Sequence, residues 1–144
     1  MYILNKDTLF IYFDGKNTII NELSTELFFK ENKLKNILEN SCKYYGSSLK
    51  GRLEGSKNLI NSRYRLPIII SEKNNLLFFP INGAKKNEII WFNFNMIKSY
   101  IKEKNFVKII FNNNYEQQFM MSYTIFNNQM LKCSRLWWVY NTRN

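Results

Sequence analysis

The 144-residue chain reads as a single α+β domain: a mainly antiparallel sheet with two or three helices, one of them C-terminal. Three observations predict this. Short runs of β-branched and aromatic residues recur between turns rich in Asn, Gly and Lys. Two stretches, residues 32–41 and 49–61, space their apolar side chains at helical intervals. A third such stretch, residues 123–140, closes the chain.

Thr8–Phe13 and residues 17–23 flank Asp14-Gly15, a dipeptide suited to the positive-φ positions of a tight hairpin. Glu26–Lys30 adds a third strand. Over residues 32–41, Leu34, Ile37 and Leu38 recur at i, i+3, i+4 and predict a helix. Tyr44-Tyr45-Gly46 ends it, with Gly46 supplying the left-handed position after the last turn. Ser47 or Ser48 is the N-cap of the next helix, because a short hydroxyl satisfies an orphan N–H of the first turn. Leu49, Leu53 and Ile60, with Ser56 between them, form its core-facing stripe. Lys50, Glu54 and Lys57 share an adjacent face. Ser48, Gly51, Gly55 and Asn58 make a third face without bulk. Each glycine there costs about 1 kcal/mol of helix propensity relative to alanine. The small face therefore implies close approach, either of the chain's own sheet or of an external partner.

After Pro67 the pattern turns to β. Ile68–Ser71 and residues 76–79 are short strands about the turn Lys73-Asn74-Asn75. Residues 81–88 read as a polar loop carrying Lys85 and Lys86. Residues 89–94 and 97–101 are further strands, and 106–112 and 115–122 form a hairpin around Asn113-Asn114, which tolerate φ > 0. On the last helix Phe126, Met130, Cys133 and Trp137 recur at i, i+4, i+7, i+11 and predict the buried face. Residues 136–140, LWWVY, read as core or, where exposed, as a hydrophobic dimer patch.

With 45% hydrophobic and 17% aromatic residues, the chain has the material for a packed core. At this length about two-thirds of the unfolded surface can be removed from water. No apolar run approaches the roughly 18 residues of a membrane span, and the N-terminus MYILNKDTLF lacks the features of a signal peptide. A cytoplasmic, nucleoid-associated protein without membrane contact is expected, with Cys42 and Cys133 as reduced thiols.

Several chemistries are excluded. The chain has no histidine, which removes Ser-His-Asp and Cys-His catalysis and every His metal site. Asp7 and Asp14 are the only aspartates, and no acidic cluster suits Mg²⁺. There is no Walker A sequence and no G-x-G-x-x-G between a strand and a helix. Two distant cysteines cannot alone make a structural zinc site. Neither an enzyme nor a cofactor is expected.

The net charge of +10 is unevenly placed. Residues 1–40 sum to −1, residues 41–65 to +5 and residues 66–144 to +6. Half of the excess thus lies in one short segment, CKYYGSSLKGRLEGSKNLINSRYR. There Lys43, Lys50, Arg52, Lys57, Arg63 and Arg65 stand against Glu54 alone. Gly46, Ser47, Ser48, Gly51, Gly55 and Ser56 are interleaved with them. Small residues let a backbone come close to a partner, and the cations make that partner an anion, with nucleic-acid phosphate the leading candidate. The alternative is a solvated basic face kept for solubility. Abundant Lys, Asn, Ile, Phe and Tyr point to an A/T-rich genome.

CKYYGSSLKGRLEGSKNL resembles the Cys-x-x-x-Gly-Ser-Ser-x-x-Gly-Arg-x-x-Gly-Thr block of the competence transcription factor family (ComK). LPIIISEKNNLLFFP resembles the family's next block, in which a Pro-led strand is followed by Phe-Pro. The segment around Trp91 and SYTIFNNQMLKCSRL resemble the two after that. The likeness covers residues 41–138 in the family's order; residues 1–40 match only in style. Residue by residue it runs through Cys42, Gly46, Ser47, Ser48, Gly51, Arg52 and Gly55, then Pro67, Phe79, Pro80, Trp91, Ser122, Tyr123, Phe126, Asn128 and Gln129. Ser56 replaces a Thr and keeps the hydroxyl. Lys132 replaces an Arg and loses the bidentate fork. Ile81-Asn82-Gly83 replaces a Thr/Ser-rich turn, and the histidines after the Trp are absent.

The resemblance implies an activator of DNA-uptake genes that binds A/T-rich boxes as paired dimers, mainly through the minor groove. It also implies that this short member lacks the C-terminal extension, and with it the recognition tail for an adaptor of regulated proteolysis. An A/T tract has a narrow minor groove of enhanced negative potential that attracts Arg and Lys. Arg52 is the first candidate for insertion or a phosphate clamp. Lys50 and Lys57 are candidates for flanking phosphates, and Arg63 and Arg65 extend the patch. The N–H groups at Ser47-Ser48 could hold a further phosphate, and Lys85-Lys86 is a candidate arm. The expected partners are A/T-rich double-stranded DNA and the chain itself, as homodimer or tetramer. A full-length family member is a further partner. Two other readings keep the same basic patch: a non-activating interaction protein that pairs with a full-length regulator, and a single-stranded RNA or DNA binder that stacks bases on exposed aromatics.

Overall fold

The computed structural model describes residues 1–143. It opens with the meander β1 (Thr8–Phe13), β2 (Asn17–Glu22) and β3 (Glu26–Lys30). Gly15 turns the first hairpin at φ +101°. Asp14 Oδ1 accepts the N–H groups of Asn17 and Lys16 at 2.7 and 2.8 Å. Those bonds to the charged form hold the Asp14 carboxyl below its ordinary range.

Helix α1 (Leu34–Tyr44) starts two residues later than its periodicity predicts and runs three residues further. Its end is a Schellman motif: Ser47 N–H bonds Cys42 O at 2.9 Å and Gly46 N–H bonds Lys43 O at 3.0 Å, with Gly46 at φ +90°. Helix α2 (Leu49–Ile60) begins at Ser48, whose Oγ accepts from Gly51 N–H at 3.0 Å, and stops at Asn61 in the left-handed region. The expected stripe is inward: Ser56 and Ile60 are buried, and Leu49 and Leu53 are half-buried.

The β segment holds β4 (Ile68–Ser71), β5 (Leu76–Asn82), β6 (Ile89–Asn93), a 3-10 turn at Phe94–Met96, β7 (Ile97–Lys102), β8 (Val107–Phe111) and β9 (Glu116–Phe119); helix α3 (Tyr123–Arg143) closes it. Two antiparallel sheets result, one ordered β3-β2-β1-β6-β5-β4 and the other β7-β8-β9. The polar loop expected over residues 81–88 is shorter, because β5 continues through Pro80, Ile81 and Asn82, which pair with Trp91, Ile90 and Ile89. Pro80 is tolerated inside a strand because β4 pairs β5 only as far as Ile68↔Phe78. No ladder bond is demanded of the missing N–H, and Gln129 Nε2 donates to the Pro80 carbonyl at 2.8 Å.

The central strands of the six-stranded sheet are buried on both faces. On one, Ile11, Ile20 and Phe78 pack against Ile37, Leu38 and Cys42 of α1. On the other, Phe10, Phe79 and Phe92 meet Val107, Ile109 and Phe111 of the small sheet and Phe126, Cys133 and Leu136 of α3. Phe92 sits edge-on to Phe119 and Phe126 at 5.0 and 5.7 Å, a favoured aromatic geometry. The buried stripe of α3 is Phe126, Gln129, Cys133 and Leu136, whereas Met130 and Trp137, expected inside, are half-buried. The stripe is rotated because Gln129 is needed inside, where its amide serves two carbonyls. LWWVY is divided: Leu136 is buried, Trp137 packs at the core margin and Trp138 is 68% exposed.

Helix α2 lies along the β4 edge and joins the two cores. Leu49 and Leu53 pack with the α1 side, and Ile60 with the α3 side. Ser56 Oγ donates to Pro67 O at 2.6 Å in the interior, which explains why a hydroxyl stands at this position.

Candidate nucleic-acid interface

Arg52 reaches Glu72, just beyond the end of β4, while Ser56 reaches Pro67, just before its start. Helix α2 therefore runs antiparallel to β4, and its exposed lysines follow that edge. Lys50 and Lys57 lie seven residues apart on one face, about 10 Å along the axis. The loop after α2 carries Arg63 and Arg65, both exposed. Its backbone is held by α3: Lys132 Nζ donates to Tyr64 O at 2.9 Å, and Gln129 Nε2 to Arg65 O at 2.8 Å.

The same Gln129 amide bonds Pro80 O, so the Arg65 backbone lies beside Pro80. Gly83, where the Lys85-Lys86 loop begins, is three residues on, about 10 Å at strand rise. That loop abuts the β1–β2 turn around Asp14 and Gly15. Among the described residues, Lys50, Lys57, Arg63, Arg65, Lys85 and Lys86 form no ion pair within 4 Å; the pairs present are Lys33–Glu31, Lys43–Glu39, Arg52–Glu72 and Lys108–Glu116. The fold thus places six exposed cations on neighbouring segments, from the start of α2 to the β5–β6 loop.

Lys132 joins this group, which sequence reasoning noted only as a replaced Arg. Burial pushes its ammonium below the ordinary lysine range, with the Arg65 charge adding to the effect. The signal that could have placed it is the spacing Lys132–Cys133–Leu136, which sets it beside the buried stripe.

Arg52 and the two serines are placed differently from the lysines. The Arg52 side chain is 21% exposed; its Nη2 lies 2.7 Å from Glu72 Oε2, and its Nε–H donates to Ser47 Oγ at 3.1 Å. The Ser47 hydroxyl in turn donates to Cys42 O at 3.2 Å. One guanidinium therefore ties the end of α1, the start of α2 and the β4–β5 turn together. The phosphate cradle expected of Ser47 meets an N–H that already bonds Cys42 O, while the Ser48 hydroxyl holds the Gly51 N–H.

The small face of α2 does not pack on the protein's own sheet. A Cβ placed on Gly55 meets nothing within 4 Å, and one on Gly51 meets only the Ser48 hydroxyl at 3.0 Å. Packing on the protein's own sheet is therefore removed as the reason for these glycines; Gly51 leaves the Ser48 cap uncrowded, and Gly55 has no internal contact to make. Both cysteines are free and buried. Burial pushes the Cys42 thiol up to about 11, against the pull of the nearby Arg52 charge, and also raises the Cys133 thiol above its ordinary range. No group of acids or cysteines among the described residues is arranged to hold a metal, and no described helix is long and apolar enough to cross a membrane.

The family model described as ComK protein matches residues 1–144. The chain belongs to the ComK family. Over 111 residues it is 24% identical to the competence transcription factor of Bacillus subtilis (strain 168), an alignment covering 76% of this chain and 58% of that relative. This ComK-family chain therefore spans less than two-thirds of the relative's length. No solved structure matches it.

Proposed function

We propose that this ComK-family chain is a DNA-binding regulator of transcription that acts on competence genes and carries no catalytic activity. It binds A/T-rich duplex boxes, largely through the minor groove, as a dimer or higher oligomer. The whole of residues 1–144 serves as one DNA-binding domain. The observation that carries the reading is the set of exposed cations Lys50, Lys57, Arg63, Arg65, Lys85 and Lys86, none of which forms an ion pair within 4 Å among the described residues. The name of the Bacillus relative agrees with it. Lys50 and Lys57 sit on flanking phosphates. Arg63 and Arg65, on a loop whose carbonyls are anchored to α3, are the arginines best presented to a narrow groove. Gly51 and Gly55 let the α2 backbone approach the duplex. Arg52, with Ser47 and Ser48, positions α2 and adds its charge to the field.

Fluorescence anisotropy on an A/T-tract duplex, a G/C duplex of equal length and a single-stranded RNA tests this. The A/T duplex binds tightest. With six phosphates neutralised, log K falls with log[salt] at a slope of about −5. Equal affinity for the two duplexes, tighter binding of the RNA, or no binding at about 0.1 M salt would sink the proposal.

A further inference from the structure

Helix α2 covers the β4 edge of the six-stranded sheet, whereas β3 at the opposite edge pairs only with β2 among the described residues. Proteins blunt such edges with short strands, charged side chains, prolines or bulges; β3, Glu-Leu-Phe-Phe-Lys, carries its charges only at its two ends and pairs β2 without a register shift. Phe28, at its centre, is 61% exposed. Leu27 and Phe29 are half-buried against the α1-side core, so the strand is firmly backed.

The phase of the ladder is set by Glu31 N–H on Lys16 O at 3.1 Å and Glu22 N–H on Thr25 O at 2.8 Å. Alternation along an antiparallel strand then turns the N–H and C=O groups of Leu27 and Phe29 toward β2. Those of Glu26, Phe28 and Lys30 point out from the free edge.

We propose that β3 pairs with β3 of a second copy, antiparallel and centred on Phe28, to make one continuous twelve-stranded sheet. The sequence about Phe28 is self-complementary in this register. Glu26 lies opposite Lys30 of the second copy, Phe28 opposite its counterpart, and Lys30 opposite Glu26. Each of these is a hydrogen-bonded pair that exchanges two backbone bonds, and opposite charges facing across strands are stabilising. The edge is also where two copies of a +10 chain repel least, since residues 1–40 sum to −1. The two α2 surfaces then stand at the outer edges, eleven strand spacings or roughly 50 Å apart along the sheet. A five-residue strand makes an interface below standard size, so the dimer is weak, with Kd on the order of tens of micromolar.

The proposal names the surface behind the self-association in the proposed function. It rests on that reading only for the use of the dimer, so its test contains no DNA. Sedimentation velocity of the full chain shows the dimer fraction rising with concentration. Glu26→Lys and Lys30→Glu each set like charges opposite one another at both ends of the pairing, and each weakens association by about tenfold or more. The double exchange Glu26→Lys/Lys30→Glu restores it, and an equimolar mixture of the two single variants forms a mixed dimer that neither forms alone. Circular dichroism confirms that the variants are folded; both residues are exposed. Single variants that associate like the parent, an exchange that restores nothing, or a parent that stays monomeric to several hundred micromolar overturns the proposal. If the charge cycle behaves as expected and the A/T duplex is not bound, the DNA reading alone fails.

Discussion

The Arg52–Glu72 pair separates a strut from a groove contact. The perturbations are Arg52→Ala, Glu72→Ala and the two together. The pair is close, at 2.7 Å, and its side chains are 21% and 42% exposed. Its strength therefore lies between an exposed pair, about 0.2–1 kcal/mol, and the 3–5 kcal/mol cost of breaking a fully buried one. Arg52 also loses the bond to Ser47 Oγ, about 1 kcal/mol. The expected costs are about 2 kcal/mol for Arg52→Ala and about 1 kcal/mol for Glu72→Ala, with the double variant about 1 kcal/mol better than their sum. At this chain length Arg52→Ala corresponds to a fall in Tm of roughly 6 °C. Urea unfolding followed by tryptophan fluorescence measures all three. Both single variants then weaken DNA binding together, because both loosen the α1–α2 corner. Additive stability changes, within about 0.3 kcal/mol, would refute the strut. DNA affinity that falls in Arg52→Ala but rises in Glu72→Ala would make Arg52 a direct contact.

Gly55→Ala meets open space and is expected to raise stability by about 0.5–1 kcal/mol while weakening DNA binding, which separates the fold's needs from the ligand's in one variant. Gly46→Ala, at φ +90°, is expected to cost about 1–2 kcal/mol, read from the urea midpoint. Gln129→Leu leaves the Arg65 and Pro80 carbonyls without their donor and is expected to cost about 2–3 kcal/mol, with weaker DNA binding as the Arg63–Arg65 loop loosens. Burial holds the Cys42 thiol up to about 11 from 9.0, so between those values the folded state binds more protons than the unfolded one. The Cys42 contribution to stability is complete below about pH 9 and is lost as pH rises through 11; urea midpoints at pH 8 and 10.5 show the decline, and Cys42→Ser flattens part of it.

Local chemistry made much of the fold legible. Asp14-Gly15 marks a hairpin because only a few residues tolerate its backbone angles, and the structure turns there. The Gly46 stop and the Ser48 cap follow from the orphan N–H and C=O groups of any helix end. The errors sit where a long-range partner decides. Pro80 argues for a strand end by itself, yet β5 runs through it because β4 stops two residues earlier on that side. Met130 and Trp137 fit the apolar period of α3, but Gln129 is drawn inward by two carbonyls from distant segments. Glu72 is twenty residues from Arg52, and nothing in their spacing announces that they meet.

The sequence by itself determined the element types, the concentration of positive charge in residues 41–65 and the absence of histidine chemistry, since these depend on residue identity and near neighbours. The tertiary structure decided which cations are available. Arg52 is held between Glu72 and Ser47, while Arg63, Arg65 and the Lys85-Lys86 loop are brought toward one end of the sheet by Gln129. It also decided that β3 keeps an open edge while α2 closes the other. The physical reason is that an ion pair, a shared carbonyl donor and a sheet edge are each defined by chain segments far apart in sequence, and only packing brings them together.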